Sequence, residues 1–354
     1  MLQILAETFS QMRQRRTLWI SGLIAAIIIG LITFWISPTS FTGLISKYND
    51  PRLSLPVVMG VTQPLPQAVE LNSRQIALGQ RLFHDPRLSA DNTISCASCH
   101  NIGGGGSDNL QQSIGIKGRV GNINAPTVLN SGFNFTQFWD GRANTLEAQI
   151  DSPVQHPKEM GSTWAELLQK IASDSEYKKE FSAIYPQQGI TVETVKSAIA
   201  TFERSLITPN SRFDQFLQGK SSALNAQEQN GWMLFQSYGC VACHQGINLG
   251  GNMYEKMGLM GDYFADRKNI TEVDNGRFNL TKNPEHMHEF RVPSLRNVDK
   301  TAPYFHDGSA KTLEQAILVM AKYQLGRHMP DKDVEDIAAF LRTLTGELVI
   351  GKKP

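Results

Sequence analysis

All four cysteines of this 354-residue chain fall in two short stretches, Cys96-Ala97-Ser98-Cys99-His100 and Cys240-Val241-Ala242-Cys243-His244. Two thiols one helical turn apart, followed directly by an imidazole, form the attachment pattern for c-type haem: the thiols add to the two vinyl groups and the imidazole reaches the iron. Each copy therefore predicts one covalent haem, held by Cys96, Cys99 and His100 in one case and by Cys240, Cys243 and His244 in the other. No cysteine is left for a disulfide, a thiolate iron ligand or a nucleophile. A single four-cysteine zinc site would place its pairs within about 20 residues of each other and leave both histidines idle. A thioredoxin-like pair would need a βαβ setting, and nothing in the chain alternates that way.

The elements that must position these motifs also come in pairs. Gly79-Gln80-Arg81-Leu82-Phe83 precedes the first motif as Gly231-Trp232-Met233-Leu234-Phe235 precedes the second, and Ile199 to Leu206 matches Ile337 to Leu344. A third match sets Asp140-Gly141-Arg142-Ala143-Asn144-Thr145-Leu146-Glu147 against Asp307-Gly308-Ser309-Ala310-Lys311-Thr312-Leu313-Glu314. The expected fold is mainly α: two cytochrome c-like helical haem domains from an internal duplication, at residues 71–212 and 213–354. Ser73 reads as the N-cap of a helix that ends before Pro86, and Thr163 to Glu166 and Asn225 to Glu228 read as capping boxes. Further helices are expected at 175–185, 191–206, 312–324 and 331–345, the last stopped by Gly346. Gly-rich loop is expected from 103 to 130 and from 246 to 303, with no strand set.

The third match separates the two haems. The helix after Asp307 carries Met320, a thioether able to take the sixth iron position and raise the potential. The place 167 residues earlier is Pro153, which cannot ligate iron. A core methionine is an equal reading of Met320 by spacing alone, and Met329, in a Met-Pro pair before the terminal helix, is a rival ligand.

Formal net charge is +1, and residues 1–37 carry Arg13, Arg15 and Arg16 against Glu7, so the remainder holds 31 basic and 32 acidic residues. A near-neutral body argues against nucleic acid as a partner. Leu18 to Ile36 is a run of 19 residues without a charge, about 28 Å as a helix, enough to cross a bilayer core. It is longer than a signal-peptide apolar region and lacks an A-x-A-like exit. The expectation is an uncleaved anchor at 18–36. It follows a cytoplasmic basic segment at 1–17, and a tether at 37–70 leads on from it. The haem domains then face the periplasm, where covalent haem attachment takes place in bacteria.

From about residue 70 to 346 the sequence resembles the bacterial dihaem cytochrome c peroxidase family. The matching text includes Asp85-Pro86-Arg87-Leu88-Ser89, the first haem motif, Asn124 to Asn130, Phe138-Trp139-Asp140-Gly141-Arg142, Pro157-Lys158-Glu159-Met160, Val292 to Asn297 and Tyr304-Phe305-His306-Asp307-Gly308. The resemblance implies a first haem, proximal to His100, that reduces hydrogen peroxide to water, and a second, held by His244 and Met320 rather than Met329, that relays electrons to it. It implies distal-pocket roles for Gln149 and Glu159, the latter moving a proton between the peroxide oxygens. It also implies an electron-passing role for Trp139, and a calcium ion held by Asn124 with the backbone carbonyls of Thr301 and Pro303. The implied donor is a small redox protein, a cytochrome c or cupredoxin, or, given the anchor, quinol; the implied assembly is a homodimer. Many members cap the peroxidatic iron with a histidine from the Gly-rich loop, and Ile116 stands at that place here. Two other readings are a relative that oxidises a protein substrate, as the tryptophan-tryptophylquinone maturation enzyme does, and a non-catalytic dihaem electron carrier. That maturation enzyme has Tyr where this chain has Met320.

Overall fold

Helix starts are written locally in this chain. Asn72, one residue before the expected Ser73, caps the first helix by accepting from the N–H groups of Arg74 and Gln75, as the near-equal ranking of Asn and Ser as caps allows. The capping boxes at Thr163 and Asn225 both form. A computed structural model describes residues 62–351. The uncharged run at 18–36, the basic segment before it and most of the tether lie outside the described residues. Among the described residues no helix is long and apolar enough to cross a membrane.

The helices of the first half are α1 Ser73–Phe83, α2 Cys96–Cys99, α3 Leu146–Gln149, α4 Asp151–Gln155, α5 Trp164–Ser173, α6 Ser175–Ile184 and α7 Val192–Ser205. Those that follow are α8 Arg212–Leu217, α9 Ala226–Ser237, α10 Tyr263–Arg267, α11 Phe278–Thr281, α12 Leu313–Val319 and α13 Asp331–Arg342. Strand is confined to short antiparallel pairs: β1 Leu206–Ile207 with β4 Val349–Ile350, and β2 Tyr254–Lys256 with β3 Glu289–Arg291.

The duplication is visible in the backbone. α1 crosses α7 where Gly79 meets Ala198, and a Cβ on Gly79 would sit 1.9 Å from the Ala198 carbonyl oxygen. α9 crosses α13 in the same way, a Cβ on Gly231 falling 1.9 Å from the Asp336 carbonyl oxygen. Only glycine permits either approach. Asn130 and Asn297, again 167 residues apart, both adopt left-handed backbone, at φ 60° and 59°. Both side-chain amides donate to the same Thr208 hydroxyl at 2.8 Å. Each crossed pair has its own apolar core, one around Leu82, Phe83, Phe181 and Phe202, the other around Phe213, Phe235, Ile337 and Phe340.

Two expectations at the C-terminal end need correcting. The helix expected over 312–324 is α-helical only to Val319, and Met320–Gln324 forms a π-helical turn. α13 ends at Arg342, and Gly346 does not stop it. A Cβ at Gly346 would lie 1.9 Å from the Thr208 carbonyl oxygen, so that glycine serves the close passage of two chain segments. The halves also differ at one core position: where the first has Leu129, the second has Arg296, fully buried and paired with buried Asp214 at 2.7 Å. The Asp214 carboxylate also accepts from the Leu65 N–H, and Arg296 donates to the Gln63 carbonyl, which ties residues 63–65 to the second half.

Candidate functional site

Two cavities, partly open to solvent, lie above the two Cys-x-x-Cys-His motifs, with volumes of about 160 Å³ over the first and about 200 Å³ over the second. Cys96, Cys99 and His100 line the first; Cys240, Cys243 and His244 line the second. The two pairs of thiols therefore serve separate cavities, which rules out a shared zinc site. Burial pushes the Cys96 thiol up to about 12 and the Cys99 and Cys240 thiols up to about 11.

Each motif imidazole is oriented by a backbone carbonyl. His100 Nδ1–H donates to the Gly106 oxygen at 3.2 Å and His244 Nδ1–H donates to the Leu249 oxygen at 3.3 Å. A carbonyl can only accept, so the proton is fixed on Nδ1 and Nε2 keeps its lone pair for iron. Burial lowers both imidazoles' pKa, His244 to about 4, so both stay neutral and able to ligate.

Above the imidazoles the cavities part company. The second is lined by Met320 and Met329 with Leu313, Ala316, Ile317 and Leu341. Met329 is 2% exposed and packed into the second core. Met320 is only half-buried and opens the π-helical turn, a distortion often found at functional positions. The first cavity has Pro153 at the place of Met320 and Gln149 at the place of Ala316, together with Glu159 and Glu203. Desolvation raises the Glu159 pKa against the opposing pull of His156 and Arg142. His156 Nδ1 lies 3.5 Å from the Glu159 carboxylate. The turn after α4 brings residues 156 and 159 together, the Glu159 N–H donating to the His156 carbonyl at 3.0 Å. Ile116 does not line the cavity. It is a buried residue of the Gly-rich loop, its N–H donating to the Glu159 carbonyl at 2.9 Å.

A thin wall separates the cavities. Phe138 lines the first and its neighbour Trp139 the second, the chain turning between them through a left-handed Phe138 at φ 69°. The Trp139 indole N–H donates to the Asn124 carbonyl at 3.0 Å, and Asn124 N–H donates to the His306 carbonyl at 2.8 Å. The Asn124 amide donates to the Leu110 carbonyl, and Asn109 donates to the carbonyls of Lys300 and Ala302, flanking Thr301 and Pro303. His306 lines the second cavity but is engaged elsewhere: its Nε2–H donates to Asp274 at 2.7 Å, and its ring stacks on Phe290. Burial alone would raise the Asp274 carboxyl, but hydrogen bonds from His306 and Arg267 hold it well below the usual carboxylate range. His84 is exposed.

Two residues in these walls escaped sequence reading. Glu203, on α7, hydrogen-bonds Gln149 inside the first cavity. Arg291 lines both cavities, is 4% exposed, and has a buried Nη1 without a hydrogen-bond partner. Burial pulls it down to about 10. A stranded cation facing both cavities suits groups that bring their own carboxylates, as haem does with its propionates. With paired neutral thiols and a free imidazole Nε2 in each cavity, the residues fit two haems.

The family model described as di-haem cytochrome c peroxidase matches residues 73–222. The chain is 49% identical over 286 residues to a cytochrome c peroxidase of Escherichia coli (strain K12), covering 80% of this chain and 61% of that one. It is 46% identical to the cytochrome c551 peroxidase of Nitrosomonas europaea, covering 80% and 84%. Among solved structures, a MauG-like protein associated with microbial copper homeostasis superposes with a TM-score of 0.73 at 31% identity, over 83% of this chain and 95% of the other. With its two haem-fitting cavities, the chain belongs to the dihaem cytochrome c peroxidase family, oxidoreductases that act on peroxide.

Proposed function

We propose that this protein is a membrane-anchored, periplasm-facing peroxidase that reduces hydrogen peroxide to water, with electrons from a small redox protein or quinol entering at the second cavity. The observation that carries the reading is the unlike chemistry of two like cavities: Met320 over His244, and Pro153 with Glu159 and Gln149 over His100. Haem, when bound, supplies the redox-active iron of each cavity; the chain supplies everything else that the reaction needs.

Reducing hydrogen peroxide to two waters consumes two protons and two electrons, and it requires a proton to move from one oxygen to the departing one. Glu159 lines the first cavity with a raised pKa, so its carboxyl exchanges a proton near neutral pH more readily than a free glutamate. His156, whose Nδ1 lies 3.5 Å from that carboxyl and accepts from the Lys158 N–H, is the partly exposed polar neighbour of Glu159. Gln149 offers an amide to orient the substrate. Its NH₂ is already given to Glu203, which leaves the amide oxygen to accept from a peroxide hydroxyl. Met320 fills the corresponding space in the second cavity and excludes substrate there. Trp139, fixed by Asn124, stands in the wall that an electron must cross.

A calcium ion held by Asn124 Oδ1 and the carbonyls of Thr301 and Pro303 would brace the same wall; oxygen donors of this kind suit a hard cation. The anchor rests on the uncharged run at 18–36. The test of the activity is peroxide consumption by the holoprotein with a chemically reduced donor. Turnover to water supports the reading, and two attached haems with no peroxide consumption would contradict it.

A further inference from the structure

Glu203 lies on α7, is 4% exposed and lines the first cavity. Both of its oxygens accept from Gln149 Nε2, at 3.2 and 3.3 Å. In the matched segment of the second half its place is taken by Leu341, which lines the second cavity and is also 4% exposed. The same helix position thus aims a carboxyl into one cavity and an isobutyl group into the other.

Among the described residues no cation forms an ion pair with Glu203, although Arg291, Arg142 and the carboxyl of Glu159 line the same cavity. The nearest charges, Glu147 on α3 and Arg204 on α7, are bound to each other by two hydrogen bonds of 2.7 and 2.8 Å. On α1, packed across α7, Arg81 is engaged with Glu180 and Asp174, and the His84 Nδ1–H donates to the Gln80 carbonyl. On α2 the facing group is the Cys96 thiol, which becomes an uncharged thioether on haem attachment. The 3-10 turn at Ser131–Phe133 and strand β4 bring no titratable side chain to this face. Burial pushes the Glu203 carboxyl up to about 8.

We infer that Glu203 is a positioning and proton-exchanging residue of the first cavity: it orients Gln149, and where its carboxyl is ionised in the oxidised protein it binds a proton when the haem of that cavity gains an electron. The inference rests on the peroxidase reading. An added electron makes the cavity more negative by one charge in surroundings of low dielectric. Taking a proton from solvent to form the Glu203 O–H bond restores the balance. When the electron passes on to peroxide the O–H bond breaks, and the released proton is one of the two consumed, with two electrons, as hydrogen peroxide becomes two waters.

The test is a spectroelectrochemical titration of the holoprotein from about pH 6 to about pH 10, following each haem separately in wild type, E203Q and E203L. The first haem's potential is expected to fall with rising pH toward the limit of one proton per electron, a tenfold change per pH unit or about 59 mV. Both variants are expected to lose that slope while the second haem's potential stays where it was. E203Q keeps an amide oxygen to accept from Gln149, so its peroxide turnover should fall less than that of E203L. A wild-type first haem whose potential ignores pH, or a slope that survives in E203Q, overturns the inference and leaves the peroxidase reading standing. A first cavity that takes up no haem at all overturns that reading and this inference with it.

Discussion

The two haem halves share a frame and differ in their walls. Both cross a pair of helices at a glycine, both turn through a left-handed asparagine, and both carry the matched ion pair, Arg204 with Glu147 and Arg342 with Glu314. Yet at matched positions facing the cavities, Pro153 stands for Met320, Gln149 for Ala316 and Glu203 for Leu341. The frame is held by backbone contacts that admit no side chain at Gly79 or Gly231, so it tolerates little drift. Positions that face a bound group are limited only by that group's chemistry, and there the copies have separated into an apolar, methionine-lined site and a carboxyl-lined one.

The largest effect that would break this contrast is expected at Glu159. Glu159→Gln should retain both haems and lose peroxide turnover by about 10² to 10⁴-fold, the usual worth of a positioned acid–base group. Steady-state kinetics at saturating donor would show it, and near-normal turnover would remove Glu159 from the chemistry. Next comes the core position where only the second half carries a charge. Asp214→Leu strands buried Arg296 and should cost about 3 to 5 kcal/mol in a denaturant titration. A loss below about 1 kcal/mol would show that the buried pair contributes no more than a surface one.

A third effect sharpens the contrast through pH. Glu203 is raised from 4.5 to about 8 by burial, so between those values the folded state holds a proton that the unfolded state has released. Stability contributed by the neutral carboxyl is therefore fully present below about pH 4.5 and lost as pH rises through about 8. Glu203→Gln should flatten that segment of a stability–pH curve, and an unchanged curve would show that Glu203 ionises freely in the fold. The smallest effect belongs to what the halves share. Double-mutant cycles on Arg204 with Glu147 and on Arg342 with Glu314 should each give less than about 1 kcal/mol, since their side chains are 32% to 45% exposed and screened by solvent. A coupling several times larger in one half alone would mean that the frame, too, has diverged.

Features decided by near neighbours were legible in the sequence. Thr163 and Asn225 cap helices through hydrogen bonds to N–H groups three residues on, and the haem motifs carry their own geometry. Gly346 misled because its reason is the Thr208 carbonyl, a contact from the other half of the chain. Glu203 and Arg291 went unread for the same cause. Glu203 lies within the buried face of α7 with nothing in its local pattern to announce Gln149, and Arg291 acquires its meaning only when two cavities are found on either side of it. Met320 and Met329 could not be ranked by spacing; the fold buries Met329 in the second core and leaves Met320 at the cavity mouth of the π-helical turn.

The unlike lining of the two cavities is tested most directly by the spectrum of the fully oxidised holoprotein. Pro153 offers no ligand, and Ile116, at the place where many relatives carry histidine, is buried away from the cavity with its N–H on the Glu159 carbonyl. The expected result is one low-spin haem with a methionine–iron signature that disappears in Met320→His, and one high-spin haem open to water or peroxide. Two low-spin haems in the oxidised wild-type protein, or a methionine signature lost in Met329→Leu and retained in Met320→His, would contradict it.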